Sequence, residues 1–144
     1  MAIGFKLVVD PDTTIYKQKK IASQAYTIGD GVMEYNTGSA TKEVDPATSA
    51  TTTYGMYAVA METVTSAATS MLVCLITPRQ EWSVEVVNTA LAAHNGQKMV
   101  LYDKSTVNNT GTTSAAAQAV FEQMGILSTT RIVGKFLKAA NVTA

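Results

Sequence analysis

The sequence predicts an all-β domain, a mainly antiparallel sandwich or barrel, with one short α-helix near residues 114–125. Three observations predict it. Strand-like runs recur at short intervals between turn signals. Threonine, β-branched and suited to a half-buried pleated surface, is abundant. The stretch Met71–Val87 also carries strand periodicity. In it Trp82, Val84 and Val86 point one way and Glu81, Ser83 and Glu85 the other, so one face lies on a core and one in water. The run before it, Met71–Ile76, is apolar on both faces and must be covered on both. That puts it at the centre of a sandwich or barrel, or under another subunit. The two runs read as a hairpin about Pro78-Arg79.

A chain of 144 residues is one domain with at most an arm or tail added. At this size folding buries about 68–70% of the unfolded surface, enough for a core without staples. The single cysteine, Cys74, has no internal disulfide partner and reads as a small buried hydrophobe. Nothing demands an oxidising compartment. Eleven basic and eleven acidic residues cancel, which argues against a duplex nucleic acid as partner. The start, MAIGFKLVVD, sets a lysine inside a short apolar run and does not read as a signal peptide. No apolar run approaches the ~20 residues that span a bilayer. Only 15% of residues are charged, and a low-charge, Thr-rich surface suits extended contact with other proteins.

Residues 1–22 differ from the rest, and the chain divides into an N-terminal arm (1–22) and a β-rich domain (23–144) with a short C-terminal tail. Phe5–Val9 has strand character, Pro11-Asp12 a turn, and Thr13–Ala22 carries Lys17, Lys19 and Lys20 among sparse apolar residues. The segment reads equally as an arm on a neighbour or as an edge strand guarded by lysines. Gly29-Asp30-Gly31 is a turn. Val32–Tyr35 is a strand that pairs, through a turn at Asn36-Thr37-Gly38, with Ala40–Val44. Pro46–Thr52 is a small-residue loop, Tyr54–Glu62 a strand apolar on both faces, and Thr63–Ser70 a polar connection. Asn88–His94 has the composition of a short helical turn stopped at Asn95-Gly96, a pair that also suits a hairpin. Lys98–Tyr102 is a strand and Val107–Thr113 a loop. Ser114 fits an N-cap for the helix Ala115–Met124, with Gly125 as its stop. Ala117, Val120, Phe121 and Met124 would share its buried face. Arg131–Leu137 closes the domain, and Ala139–Ala144 is a tail.

Residues that carry chemistry are few. His94 is the only histidine, and a nucleophilic site needs one held between nucleophile and acid. Its place before Asn95-Gly96 fits a surface or helix-terminal position. One His with one Cys makes no zinc set. The carboxylate pairs Asp10/Asp12 and Glu43/Asp45 lie in turn-like sequence, and Glu81/Glu85 on the wet face of a strand. A hydrolase with two opposed carboxylates would need burial or a like-charge neighbour to tune one of them, and these pairs do not cluster in that way. No phosphate-cradling glycine motif is present. The sequons at Asn108 and Asn141 are chance matches in an Asn- and Thr-rich chain.

The runs EWSVEVVNTALAAHNGQKMVLYD, VNNTGTTSAAAQAVFEQMGI and RIVGKFL, with YTIGDGVMEYNTGSATKEV and TYGMYAVAME before them, resemble the head decoration (cement) proteins of tailed bacteriophages. The resemblance spans Tyr26 to Leu137. Members of that family are small β-rich proteins, often with a short helix, that bind the outer face of an assembled capsid. The resemblance implies a virion structural protein, made in the host cytoplasm and placed on the outer face of the capsid. It also implies the major capsid protein as partner, a homotrimer, no cofactor and no catalysis, and neither nucleic acid nor membrane as partner. Phe5, Tyr16, Lys17, Lys19 and Lys20 are then the candidates for capsid contact. Tyr54, Met56, Tyr57, Met71 and Val73 are the candidates for the subunit interface. The alternative is a phage tail or surface module that binds carbohydrate. A sugar site wants exposed aromatics, whereas Trp82 alternates onto the apolar face. A small hydrolase is a third possibility, opposed by the scarcity of His and clustered acids.

Overall fold

The structure, a computed structural model, describes residues 4–9, 15–19, 24–35, 43–46, 58–77, 79–109 and 120–137. Its strands are β1 (Lys6–Val9), β2 (Ile15–Lys19), β3 (Gly31–Tyr35), β4 (Glu43–Pro46), β5 (Ala58–Ala60), β6 (Ser70–Leu75), β7 (Glu81–Val86), β8 (Lys98–Asp103), β9 (Thr106–Asn108), β10 (Phe121–Ile126) and β11 (Arg131–Phe136). A 3₁₀ turn at Ala92–His94 precedes β8. The domain is all-β, as its sequence predicts.

One sheet has the order β1-β7-β11-β10-β8-β9, and β9 also pairs with β7. That last pairing, parallel with Glu85 opposite Thr106, closes β7, β11, β10, β8 and β9 into a barrel, which removes free edges. β1 lies on the same edge of β7 as a short antiparallel partner, with Lys6 opposite Ser83. The second sheet, β2-β6-β5-β3-β4, is antiparallel. Its outer strands β2 and β4 approach one another, so it also curls. Pro46 lies in β4, at the end of this sheet's strand order and opposite Val32, the kind of edge position to which proline is confined.

The barrel is filled by Trp82, Val84 and Val86 of β7, Met99 and Leu101 of β8, Val107, Phe121, Ile132 and Phe136. Val59, Cys74 and Ile76 from the second sheet belong to the same apolar cluster. A separate cluster joins Tyr26, Val32, Ala58, Ala60, Met71 and Val73. The run Met71–Ile76 is therefore covered on both sides by its own chain. Met71 and Val73 face one cluster, Cys74 and Ile76 the other; Leu72 alone is exposed.

Several expectations are corrected. The runs of Met71–Val87 do not pair as a hairpin: β6 lies in one sheet and β7 in the other. Gln80 makes that corner. Fully buried, its Oε1 accepts from the Thr77 N–H at 2.9 Å and from Trp82 Nε1 at 3.2 Å, and its Nε2 donates to the Leu75 carbonyl at 3.1 Å. The described part of 1–22 supplies β1 and β2, edge strands, one in each sheet. The edge-strand reading of that segment is the one observed. The helix expected over Ala115–Met124 is absent where described, since Phe121–Ile126 is β10, paired with β8 and β11. There the two-residue period wins: Phe121 and Gln123 are buried and Met124 is exposed. Gly125 sits beyond a register shift in that strand and ends no helix. Thr106–Asn108, expected partly as loop, is the strand that closes the barrel. Ser83, expected in water, is buried beside β1 and accepts from Arg131 Nη2 at 2.9 Å.

Pro11-Asp12, Asn36-Thr37-Gly38, residues 40–42 and 47–57, Pro78, Ser114 with residues 115–119, and Ala139–Ala144 lie outside the described residues.

Candidate functional site

The two sheets are joined around the turn at residues 27–30, closed by the Asp30 N–H donating to the Thr27 carbonyl at 2.9 Å, and at Gly31, where β3 begins. Asp30 is 4% exposed. Its Oδ2 accepts from the Thr27 N–H at 2.9 Å and lies 3.3 Å from Lys104 Nζ, in the β8–β9 turn. Its carbonyl accepts from the Ala60 N–H at 2.8 Å, and Gly31 N–H donates to the Lys104 carbonyl at 2.6 Å. The neighbouring Gly29 carbonyl accepts from the Phe5 N–H at 2.8 Å. Gly4, at φ +63°, approaches so near that an added Cβ would overlap the Gly29 carbonyl oxygen. Phe5 is thereby placed against Phe136 and Phe121, with ring centroids 4.9 and 5.8 Å away.

This geometry decides where the expected contact residues lie. Phe5 is 3% exposed inside the core, so it is a plug for the barrel and offers no grip on a shell. Met71 and Val73 are fully buried within the chain, so they cannot line a subunit contact. Tyr16, Lys17 and Lys19 lie on β2 opposite Val73, Leu72 and Ser70. Lys20, Tyr54, Met56 and Tyr57 lie outside the described residues.

Among the described residues the chemistry-bearing groups do not converge. His94 ends the 3₁₀ turn, half-buried, and its Nδ1 is enclosed without a hydrogen-bond partner. Asp30 serves the joint. Asp10 and Asp12 lie outside the described residues. Cys74 is buried. Among the described residues no group of three His, Cys, Asp or Glu side chains is placed to hold a metal ion, and no helix is long and apolar enough to cross a membrane. Trp82, the only tryptophan, is 1% exposed and offers no stacking platform.

The surface is more informative at the far end of the barrel. Because β8 and β10 are antiparallel, the β10–β11 turn lies at the opposite end from the β8–β9 turn that meets Asp30. The segment after β7 is bonded to it: the Val86 N–H donates to the Thr130 carbonyl and the Ala90 N–H to the Thr129 carbonyl, at 2.9 and 2.8 Å. Gln123, fully buried, donates from Nε2 to the Leu91 carbonyl at 2.8 Å and to Asn95 Oδ1 at 2.9 Å. Asn109 accepts from the Asn88 N–H and donates to the Asn88 and Thr89 carbonyls, which fixes the same segment to the end of β9. On this braced frame Val87, Leu91, Met124, Ile126 and Leu127 are all exposed. Sequence reasoning missed them. The legible sign was the absence of any charged residue between Glu85 and Lys98 and between Glu122 and Arg131.

No protein-family model and no curated protein matches this sequence.

Proposed function

We propose that this chain is a virion structural protein that binds the outer surface of an assembled bacteriophage capsid and stabilises it. The observation that carries the proposal is the surface of a braced all-β body: large apolar side chains are exposed at both ends of the barrel, on a chain of zero formal net charge. Such a surface suits broad adhesion to protein, and the resemblance to phage head decoration proteins supplies the class of partner. The major capsid protein is that partner. Ile28 and Tyr102, which flank the Asp30–Lys104 joint and are exposed, are the shell-facing anchors. A stable contact removes about 800 Å² per partner from water. A protein that binds the expanded shell and not its precursor stabilises the expanded state by mass action. The role requires no reaction chemistry.

Co-sedimentation with purified phage heads tests the proposal. Saturable binding to expanded heads, with a higher temperature of head disruption, is the expected result. A protein that stays in the supernatant with every expanded head, and binds a soluble glycan instead, would contradict it.

A further inference from the structure

We infer that the charge-free end of the barrel is where copies of this chain meet one another. The surface comprises Val87 and Leu91 from the segment after β7, and Met124, Ile126 and Leu127 from the β10–β11 hairpin. These side chains are between 41% and 59% exposed. A scattered surface leucine needs no explanation, but several large apolar groups gathered on two hydrogen-bonded segments mark a contact.

Charge selects the occupant. The two segments contain no Asp, Glu, Lys or Arg. Their borders are formed by two cross-strand pairs of opposite sign, Glu85 opposite Arg131 and Lys98 opposite Glu122. The arrangement is an apolar centre with a polar rim, the anatomy of permanent interfaces between identical subunits, which are more apolar than transient ones. A symmetric contact brings a surface against itself, so any net charge on it would repel its own copy. Among the described residues, this end carries none in its centre and a balanced set on its rim. A partner with a strongly charged face would find nothing to pair with here. The backbone beneath is held by Gln123 and Asn109, so little ordering is required when two copies meet.

The inference deepens the adhesive role proposed above and rests on it for its purpose: one end of the barrel assembles the copies, and the other, near Ile28 and Tyr102, is left to the shell. Sedimentation equilibrium and light scattering on the full chain test it, at low and high salt. The wild type is expected to be oligomeric at both, because apolar contacts are not screened. Leu91→Asp and Leu127→Asp should each weaken self-association by about thirtyfold or more, the loss of a central anchor. Their thermal midpoints measured at a concentration where the wild type is also dissociated should match the wild type, since both side chains are already in water. A wild type that is monomeric across the concentration range overturns the inference, as does an oligomer that both variants leave intact. Head binding is read separately. An oligomer sensitive to both variants that ignores phage heads keeps the inference and removes the capsid reading. A monomer that binds heads and loses them on Leu127→Asp gives this end to the shell and removes the inference.

Discussion

The two ends of the barrel are finished in different ways. At the β8–β9 end the chain closes itself. Phe5 enters the aromatic cluster, Asp30 gathers Thr27 and Lys104, and Gly31 bonds the Lys104 carbonyl. At the β10–β11 end the backbone is just as firmly bonded, through Gln123 and Asn109, yet five large apolar side chains are exposed there, against Ile28 and Tyr102 at the closed end. Rigidity and closure are thus separate properties. A braced surface that leaves apolar groups outside is already shaped for contact, and it loses little freedom when it is covered.

Substitutions at the two ends should separate these properties. The largest effect belongs to the closed end. Phe5→Ala empties a site enclosed by Phe121 and Phe136 and should cost about 3–5 kcal/mol in urea unfolding. A loss under about 1 kcal/mol would mean that the N-terminal strand is dispensable to the barrel. Asp30→Ala strands the Thr27 N–H and should cost about 1–3 kcal/mol. Lys104 is 41% exposed, so water takes up its charge when the carboxylate is removed, and the cost stays below that of breaking a fully buried pair. Asp30→Asn keeps an acceptor for Thr27 and should cost less than the alanine change in the same unfolding series. At the open end, Gln123→Leu removes the bonds to Leu91 and Asn95 and should cost about 1 kcal/mol, with faster amide exchange confined to residues 91–97. The smallest effect on folding belongs to Leu127→Asp, within about 0.5 kcal/mol by the same measurement under monomeric conditions. If Leu127→Asp destabilised the monomer as much as Phe5→Ala does, the contrast between the ends would be false.

The elements legible in the sequence were those whose information is local. The alternation through Trp82, Val84 and Val86 placed that face of β7 in the core, and the turn signalled by Gly29 and Asp30 is present, though it spans residues 27–30 and Gly31 already opens β3. What escaped was pairing at a distance. Pro78-Arg79 resembles a hairpin turn, but nothing local says that the next strand belongs to another sheet, and Gln80 alone marks the corner. The segment 115–124 favours a helix through its alanines and its Phe121/Met124 spacing; from Phe121 onward it is a strand because β8 and β11 supply partners on both edges. The parallel pairing of β9 with β7, which closes the barrel, joins two short runs with nothing between them to announce it. The candidate contact residues failed for a related reason. A sequence shows that Met71 and Val73 must be covered, and it does not show by what. The exposed end was visible only as a lack of charge, which is informative once the two uncharged segments are seen to lie side by side.

The contrast between the ends is tested most directly by hydrogen–deuterium exchange on the full chain at two protein concentrations, one dilute and one far above it. The amides of Phe5 and Gly31 should be protected equally at both, because the chain itself closes that end. Peptides covering residues 87–97 and 123–130 should gain protection only when concentrated, as copies cover one another. Protection across those two segments that does not change with concentration would contradict the assignment of the open end to assembly.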